Sequence, residues 1–217
     1  MKKSSLLELD LQIEYKIKSE LGMLYETRYT QQIDADIYTS NMIEKRQLVG
    51  KMSGIKLLFH ALSSTDFEPF DIFDGRDECR DFTCIYDFKK NCFKSKNFKD
   101  TYNIDLLILS KIEILPEFRG LNISKFAIKD FILNFSSGCG LIGLIAFPLQ
   151  FGAIGADKEH CNKMEYEKIE TTVSDGRAKL IAHYRKIGFK VETGGLMTLS
   201  IDYLNKRLDK IDLDNLT

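Results

Sequence analysis

Polar and apolar positions alternate from the start of the chain. Leu7, Leu9, Leu11, Ile13, Tyr15 and Ile17 are separated by Glu8, Asp10, Gln12, Glu14 and Lys16, the period of a half-buried strand. Gly22 breaks the pattern, and residues 23–42 mix Tyr, Thr and acids without a period that assigns an element. Residues 47–62 are apolar and β-compatible, with Gly50 and Gly54 as turn or bulge points. A polar loop with Pro69 follows at 63–70. From 71 to 98, Cys79, Phe82, Ile85 or Tyr86, and Cys92 or Phe93 recur at helical spacing, with Asp and Lys on the other face. This predicts a helix that begins near Asp74 and Gly75.

The strongest pattern runs from 105 to 136. Lys111 and Glu113 alternate with Ile112 and Ile114, which predicts a strand over 105–115, with Glu113 either a plain solvent-facing residue or a carboxylate available for chemistry. Pro116 ends it. The period then changes: Ile123, Ala127, Phe131 and Phe135 recur every fourth residue, which predicts a helix over 120–136 packed on a sheet. The turn between them aims unpaired backbone N–H groups and a positive helix end at one spot, an anion site. Gly138 and Gly140 are read as cap and turn. The apolar run 141–147 reads as a strand buried on both faces, parallel to the previous one because a helix joins them. Residues 150–172 form a polar insertion, either a surface loop or a substrate lid. A helix over 175–186, capped by Ser174 or Asp175 and ended by Gly188, precedes strands at 190–192 and 196–203 joined through Gly194-Gly195. Residues 205–217 read as a short helix or frayed tail. The fold class is α/β (α+β).

Composition narrows the function. The 31 basic residues are matched by 32 acidic ones, which argues against a nucleic-acid or membrane-surface partner. No apolar run is long enough for a membrane span, and no signal-like segment opens the chain, so a cytoplasmic protein of one domain over 1–217 is expected. Five cysteines at irregular spacing and three histidines give no metal-ligand pattern. His160 and Cys161 are adjacent and point apart, and nothing near Cys161 in sequence reads as its base. Phe67, Phe70, Phe73, Phe82, Tyr86, Phe88 and Phe93 are core residues on the plainest reading, an apolar acceptor pocket on the other.

Two motifs carry a family resemblance. Pro116-Glu-Phe-Arg119-Gly120-Leu-Asn122-Ile-Ser124 resembles the acyl-CoA-binding loop of the GNAT superfamily of N-acetyltransferases, Arg/Gln-x-x-Gly-x-Gly/Ala after a strand ending in Val-x-Pro. Tyr184-Arg185-Lys186-Ile187-Gly188-Phe189 resembles that family's Tyr-x-x-x-Gly-Phe. They stand in the family's order, and the similarity covers roughly residues 105–201, about half the chain. Asn122 and Ser124 stand where the family has small loop glycines or alanine. Asn tolerates the left-handed region and Ser is small, so the loop is expected to survive with weaker pyrophosphate binding.

The resemblance implies a mixed, mostly antiparallel sheet with a central, splayed parallel strand pair and helices on both faces. It places a variable substrate-side half over 1–100 and an acyl-CoA-binding half over 105–204. Pro148 would end pairing at the splay. Acetyl-CoA or another acyl-CoA would be the co-substrate, with a small-molecule or protein amine as acceptor, no metal, and a homodimer as an open assembly. Backbone groups of Ile112, Glu113 and Ile114 would pair with the pantetheine arm. Those of Leu121, Asn122, Ile123, Ser124 and Lys125 would hold the pyrophosphate, with Gly120 in the turn. Arg119 would assist, or pair with Glu117 as a surface residue. Tyr184 would be the acid, or a tyrosine packed under the sheet. Glu113 and Asp105 are the candidate bases, and His183 a lesser one on a helix surface. A second reading keeps the fold without catalysis, as a binding or regulatory module. A third, a nucleotide site, loses ground because no Gly-Lys-Ser/Thr follows the loop.

Overall fold

A computed structural model describes residues 10–20, 25–40, 46–95, 103–152, 158–169, 172–201 and 206–211. Its elements are β1 (Asp10–Ser19), β2 (Thr30–Ser40), β3 (Gln47–Leu57), α1 (Pro69–Asp74), α2 (Asp77–Arg80), β4 (Tyr86–Asp87), β5 (Cys92–Phe93), β6 (Asp105–Ile114), α3 (Ile123–Phe135), β7 (Cys139–Ile145), α4 (Lys158–Lys163), α5 (Val173–Ile187), β8 (Lys190–Thr193), β9 (Leu196–Ser200) and α6 (Lys206–Asp209). Seven strands form one sheet in the order β1-β2-β3-β6-β7-β9-β8, and β4 pairs with β5 apart from it. Every neighbour in the large sheet is antiparallel except β6 and β7, which run parallel. The architecture is mixed α/β.

The period of two in the strands divides the core between the faces of the sheet. On one face, Ile33, Ile37, Met52, Leu107 and Leu109 pack against Ile123, Ala127 and Phe131 of α3 and Ile187 of α5. On the other, Ile55, Leu57, Leu106, Ile108 and Leu141 pack against Ile72, Phe73, Phe82, Tyr86 and Phe93. Of the aromatic group of the 67–93 segment, Phe73, Phe82, Tyr86 and Phe93 are therefore core, Phe67 and Phe88 pack half-buried against it, and Phe70 is 50% exposed. The core rings are tilted or edge-on to one another, as in Phe59–Phe73 and Tyr86–Phe93 at 5.2 and 5.4 Å.

Several elements depart from the sequence pattern. The single helix expected within 71–98 is instead α1, α2, a 3-10 turn at Asp81–Ile85 and the β4–β5 hairpin. The Asp87 carboxylate accepts the N–H groups of Lys89 and Lys90, and Asn91 takes a left-handed φ of 49°, so the chain reverses where a helix would have continued. Apolar residues about three apart serve successive turns there, which mimics a helical period. Strand β2 fell in an unassigned region, although Ile33, Ala35 and Ile37 are buried in alternation. Helix α5 is capped by Thr172, whose hydroxyl accepts from Asp175 N at 3.1 Å, not by Ser174 or Asp175. Gly140 lies inside β7 and not in a turn. Leu7, Leu9 and Tyr203 lie outside the described residues.

The sheet carries four register shifts, at β2–β3, β3–β6, β6–β7 and β8–β9, and the two on either side of β3 bear on the site. Ile37 pairs with Gly50 and Tyr38 with Leu48, which leaves Val49 as the extra residue beside Gly50. Ser53 pairs with Lys111 and Gly54 with Leu109, which leaves Ser110 extra on β6, across from Gly54. At Gly54 a side chain has no room: a Cβ would stand 2.5 Å from the Phe131 ring and 2.6 Å from Ile108 O.

Candidate functional site

The Ser110 bulge creates the main feature of the molecule. Strands β6 and β7 pair only from Asp105/Cys139 to Leu109/Leu144. Beyond Leu109, β6 continues to Ile114 beside β3, while β7 continues to Ile145 beside β9. Pairing is thus lost four residues before Pro148, and the cause is the bulge. Pro148 instead packs against Gly176 of α5, where a Cβ would come within 2.9 Å of its ring. The parted strands open a cleft of about 750 Å³ bounded by residues 109–114, Ile145 and 147–150, residues 118–120 and 122–124 of the loop, Met164, Tyr166 and Ile169, and the α5 residues Gly176, Lys179, Leu180, His183 and Tyr184. The extra residue also switches faces. Leu107 and Leu109 face α3, and after Ser110 it is Ile112 and Ile114 that pack on that side.

Glu113 faces away from Ile112 and Ile114, as alternation requires, yet it is only 9% exposed. The solvent-facing alternative for Glu113 fails because residues 158–169 fold over it. Its carboxylate accepts from Lys111 Nζ at 2.7 Å and His160 Nε2 at 3.0 Å, and from the Tyr166 hydroxyl. Burial pushes its pKa up, but the hydrogen bonds from Lys111, Tyr166 and His160 outweigh burial and hold it below the usual carboxylate range. Tyr166 is pushed up, by burial first and then by Glu113. His160 and Tyr166 were not anticipated. They lie 47 and 53 residues from Glu113, and no local pattern joins them.

Asp105 lies at the other end of β6, about 30 Å along the strand from Ile114 at ~3.3 Å per residue. It is 1% exposed and accepts the His60 backbone N–H at 3.0 Å, with His60 Nδ1 at 2.6 Å. It does not line the cleft; it fastens the turn after β3 to the start of β6.

The loop at the cleft mouth has the conformation its residues suggest. Gly120 has φ 82° and Asn122 has φ 57°, ψ 6° immediately before α3. Lys125 N donates to Asn122 O, while the N–H groups from Gly120 to Ser124 have no acceptor among the described residues. The Arg119 side chain is engaged: Nε donates to Ile114 O at 3.0 Å and Nη2 to Met164 O at 2.7 Å. It ties the loop to the segment that covers Glu113, and it does not pair with Glu117. Ser124 Oγ lies 3.2 Å from His183 Nε2. Burial, then Lys125 and Lys186, push the His183 pKa down to about 4, so the ring is neutral near pH 7. It lines the cleft and is not a plain surface residue.

Tyr184 belongs to the core and also lines the cleft. It is 7% exposed, with its ring edge-on to His183 and Phe189 at 5.4 and 6.1 Å. Its hydroxyl has no hydrogen-bond partner among the described residues, and burial pushes its pKa up to about 12. It is a proton donor at neutral pH. Ser110 Oγ and Gln150 Nε2 are further cleft-lining polar atoms, buried and unpartnered among the described residues. The cleft therefore joins an ionised carboxylate, a protonated phenol, unsatisfied polar groups and an array of loop N–H groups. No group of side chains suited to a metal ion occurs among the described residues, and no helix among them is long and apolar enough to cross a membrane.

Comparison with family models, with curated proteins and with solved structures gives no match to this chain.

Proposed function

We propose that this chain is an acyl-CoA-dependent N-acyltransferase with the GNAT arrangement, moving an acyl group, most simply acetyl, to a primary amine in a ternary complex. One observation carries the reading. The parallel strands part at the Ser110 bulge, and the resulting cleft has the anion-suited loop at its mouth and both Glu113 and Tyr184 in its walls. The fit to a long, phosphate-bearing thioester rests on three features. The N–H groups from Gly120 to Ser124 suit a pyrophosphate. The β6 edge that β7 has left suits the amides of a pantetheine arm, with the Ile114 carbonyl already taken by Arg119. The volume of about 750 Å³ suits a ligand of that size.

The acyl-CoA supplies an activated carbonyl and a thiolate leaving group. The acceptor nitrogen forms the new C–N bond as the C–S bond breaks. Glu113, ionised at neutral pH, takes the proton the amine loses, with Tyr166 and His160 holding the carboxylate in place. Tyr184 gives its hydroxyl proton to the departing sulfur, and the proton held on Glu113 balances the transfer as solvent restores both groups. A non-catalytic reading, a fold of this kind used as a binding or regulatory module, is favoured by one observation: the Arg119 and Ser124 side chains already have partners.

Thiol release from acetyl-CoA with a panel of primary amines tests the enzyme reading. Wild type is expected to turn over at least one amine. Tyr184→Phe keeps the packing and is expected to lower the rate about a hundredfold while the KM for acetyl-CoA stays close to wild type. Absence of thiol release with every amine moves the chain to the binding-module reading. A Tyr184→Phe enzyme at the wild-type rate removes this residue from the chemistry.

A further inference from the structure

Another cavity, of about 230 Å³, adjoins the same loop at Asn122 and is lined, among the described residues, by Asn122, Lys125, Phe126, Lys186, Arg207, Lys210 and Ile211. Four of these seven residues are cationic and no carboxylate is among them. Lys125, Lys186 and Lys210 make no ion pair among the described residues. Burial, and then the neighbouring Lys186, lower the Lys125 pKa, the sign of like charges gathered without a counter-charge among the described residues.

The cluster is held in place by the end of the chain. Leu208 of α6 is buried, Arg207 Nη1 donates to Arg185 O at 2.8 Å, and Lys129 Nζ donates to Ile211 O at 2.6 Å. These contacts place Arg207 and Lys210 in the lining of a pocket whose other two cations come from α3 and α5. Asn122 lines both this cavity and the main cleft, so a ligand with one phosphate group on the loop N–H groups has this pocket as its neighbour.

We propose that this pocket binds a phosphomonoester dianion, and that it is the terminal phosphate on the ribose of the acyl carrier whose pyrophosphate meets the 120–124 loop. This rests on the acyl-CoA reading above. A phosphomonoester bears close to two negative charges at pH 7 and several acceptor oxygens, which matches three lysines and an arginine more closely than a neutral or singly charged group does. The pocket thereby selects carriers that bear the extra phosphate over those that lack it, and α6 becomes part of the binding site.

Calorimetric titration at low salt separates the outcomes, with acetyl-CoA, its 3′-dephospho form and inorganic phosphate as ligands. The proteins are wild type and the double variant Lys186→Ala/Lys210→Ala, both positions exposed and so not needed for folding. Wild type is expected to bind acetyl-CoA at least about tenfold more tightly than the dephospho form, the scale of a charge-assisted hydrogen bond. In the double variant that gap is expected to close to about twofold, with affinity for the dephospho form unchanged. Equal affinity of wild type for the two carriers overturns the proposal and leaves the acyltransferase reading intact. A gap that persists in the double variant also overturns it, since the phosphate is then read elsewhere. Inorganic phosphate binding lost in the double variant, with the two carriers equal in wild type, makes the pocket an independent anion site and overturns the carrier assignment. If neither carrier binds, the acyl-CoA reading fails and this proposal falls with it.

Discussion

Residue type alone anticipated Asn122: a side chain that tolerates the left-handed region stands where the loop requires it, at φ 57°. The state of His183 could not be read that way, because it depends on burial and on Lys125 brought from another helix as well as on Lys186 of its own. Burial beside Lys125 and Lys186 holds its pKa down to about 4, against about 6.5 in an unfolded chain. Between those values the unfolded chain takes up a proton that the folded one refuses. The stability this site contributes is complete above about pH 6.5 and is lost as pH falls toward 4. His183→Gln keeps a hydrogen-bonding partner for Ser124 and cannot titrate. Urea midpoints measured from pH 7 to pH 4 should fall more steeply for wild type than for this variant, and parallel profiles would mean that His183 titrates normally. Glu113 makes the same point in reverse. Its alternation with Ile112 and Ile114 was legible and its direction correct, but its burial depends on Tyr166 and His160, which only the fold brings near.

Among the elements, those whose apolar period is local were the most legible. Strands β1, β6 and β7, the β8–β9 hairpin and helices α3 and α5 all lie near their expected positions, because alternation or a fourth-residue repeat is visible within a short window. Residues 71–98 misled, since spacing near three serves consecutive short turns as well as one helix. Bulges were half legible: Gly54 marks one, but the extra residue is Ser110 on the neighbouring strand. That pairing gives Gly54 a demanding role. A Cβ there would press on the Phe131 ring of α3 and on the backbone carbonyl of Ile108, and the carbonyl cannot move without shifting β6. Gly54→Val should therefore destabilise the fold by about 1–3 kcal/mol, the usual cost of overpacking, read as a lowered urea midpoint at unchanged m-value. An unchanged midpoint would mean that α3 stands off the sheet at this point.

At the scale of the whole molecule, the sheet order sets β3 and β9 as outer supports for two central strands that pair only along the first half of β6. Each half of the cleft thus rests on a continuous antiparallel neighbour, so the opening is kept by hydrogen-bonded strands and not by loops. The loop before α3 closes one end, and residues 158–169 cover Glu113 at another. We propose that an acyl-CoA occupies this cleft with its pyrophosphate on the Gly120–Ser124 N–H groups. Titration calorimetry of acetyl-CoA into wild type and into Gly120→Glu tests it most directly. A Cβ at Gly120 meets nothing within 4 Å, so the substitution costs only the ~1–2 kcal/mol of a positive φ while setting a carboxylate at the anion site. Wild type should give a saturable heat with one ligand per chain. Gly120→Glu should give none while still unfolding cooperatively. The absence of heat with wild type, or equal binding by both proteins, would contradict the claim.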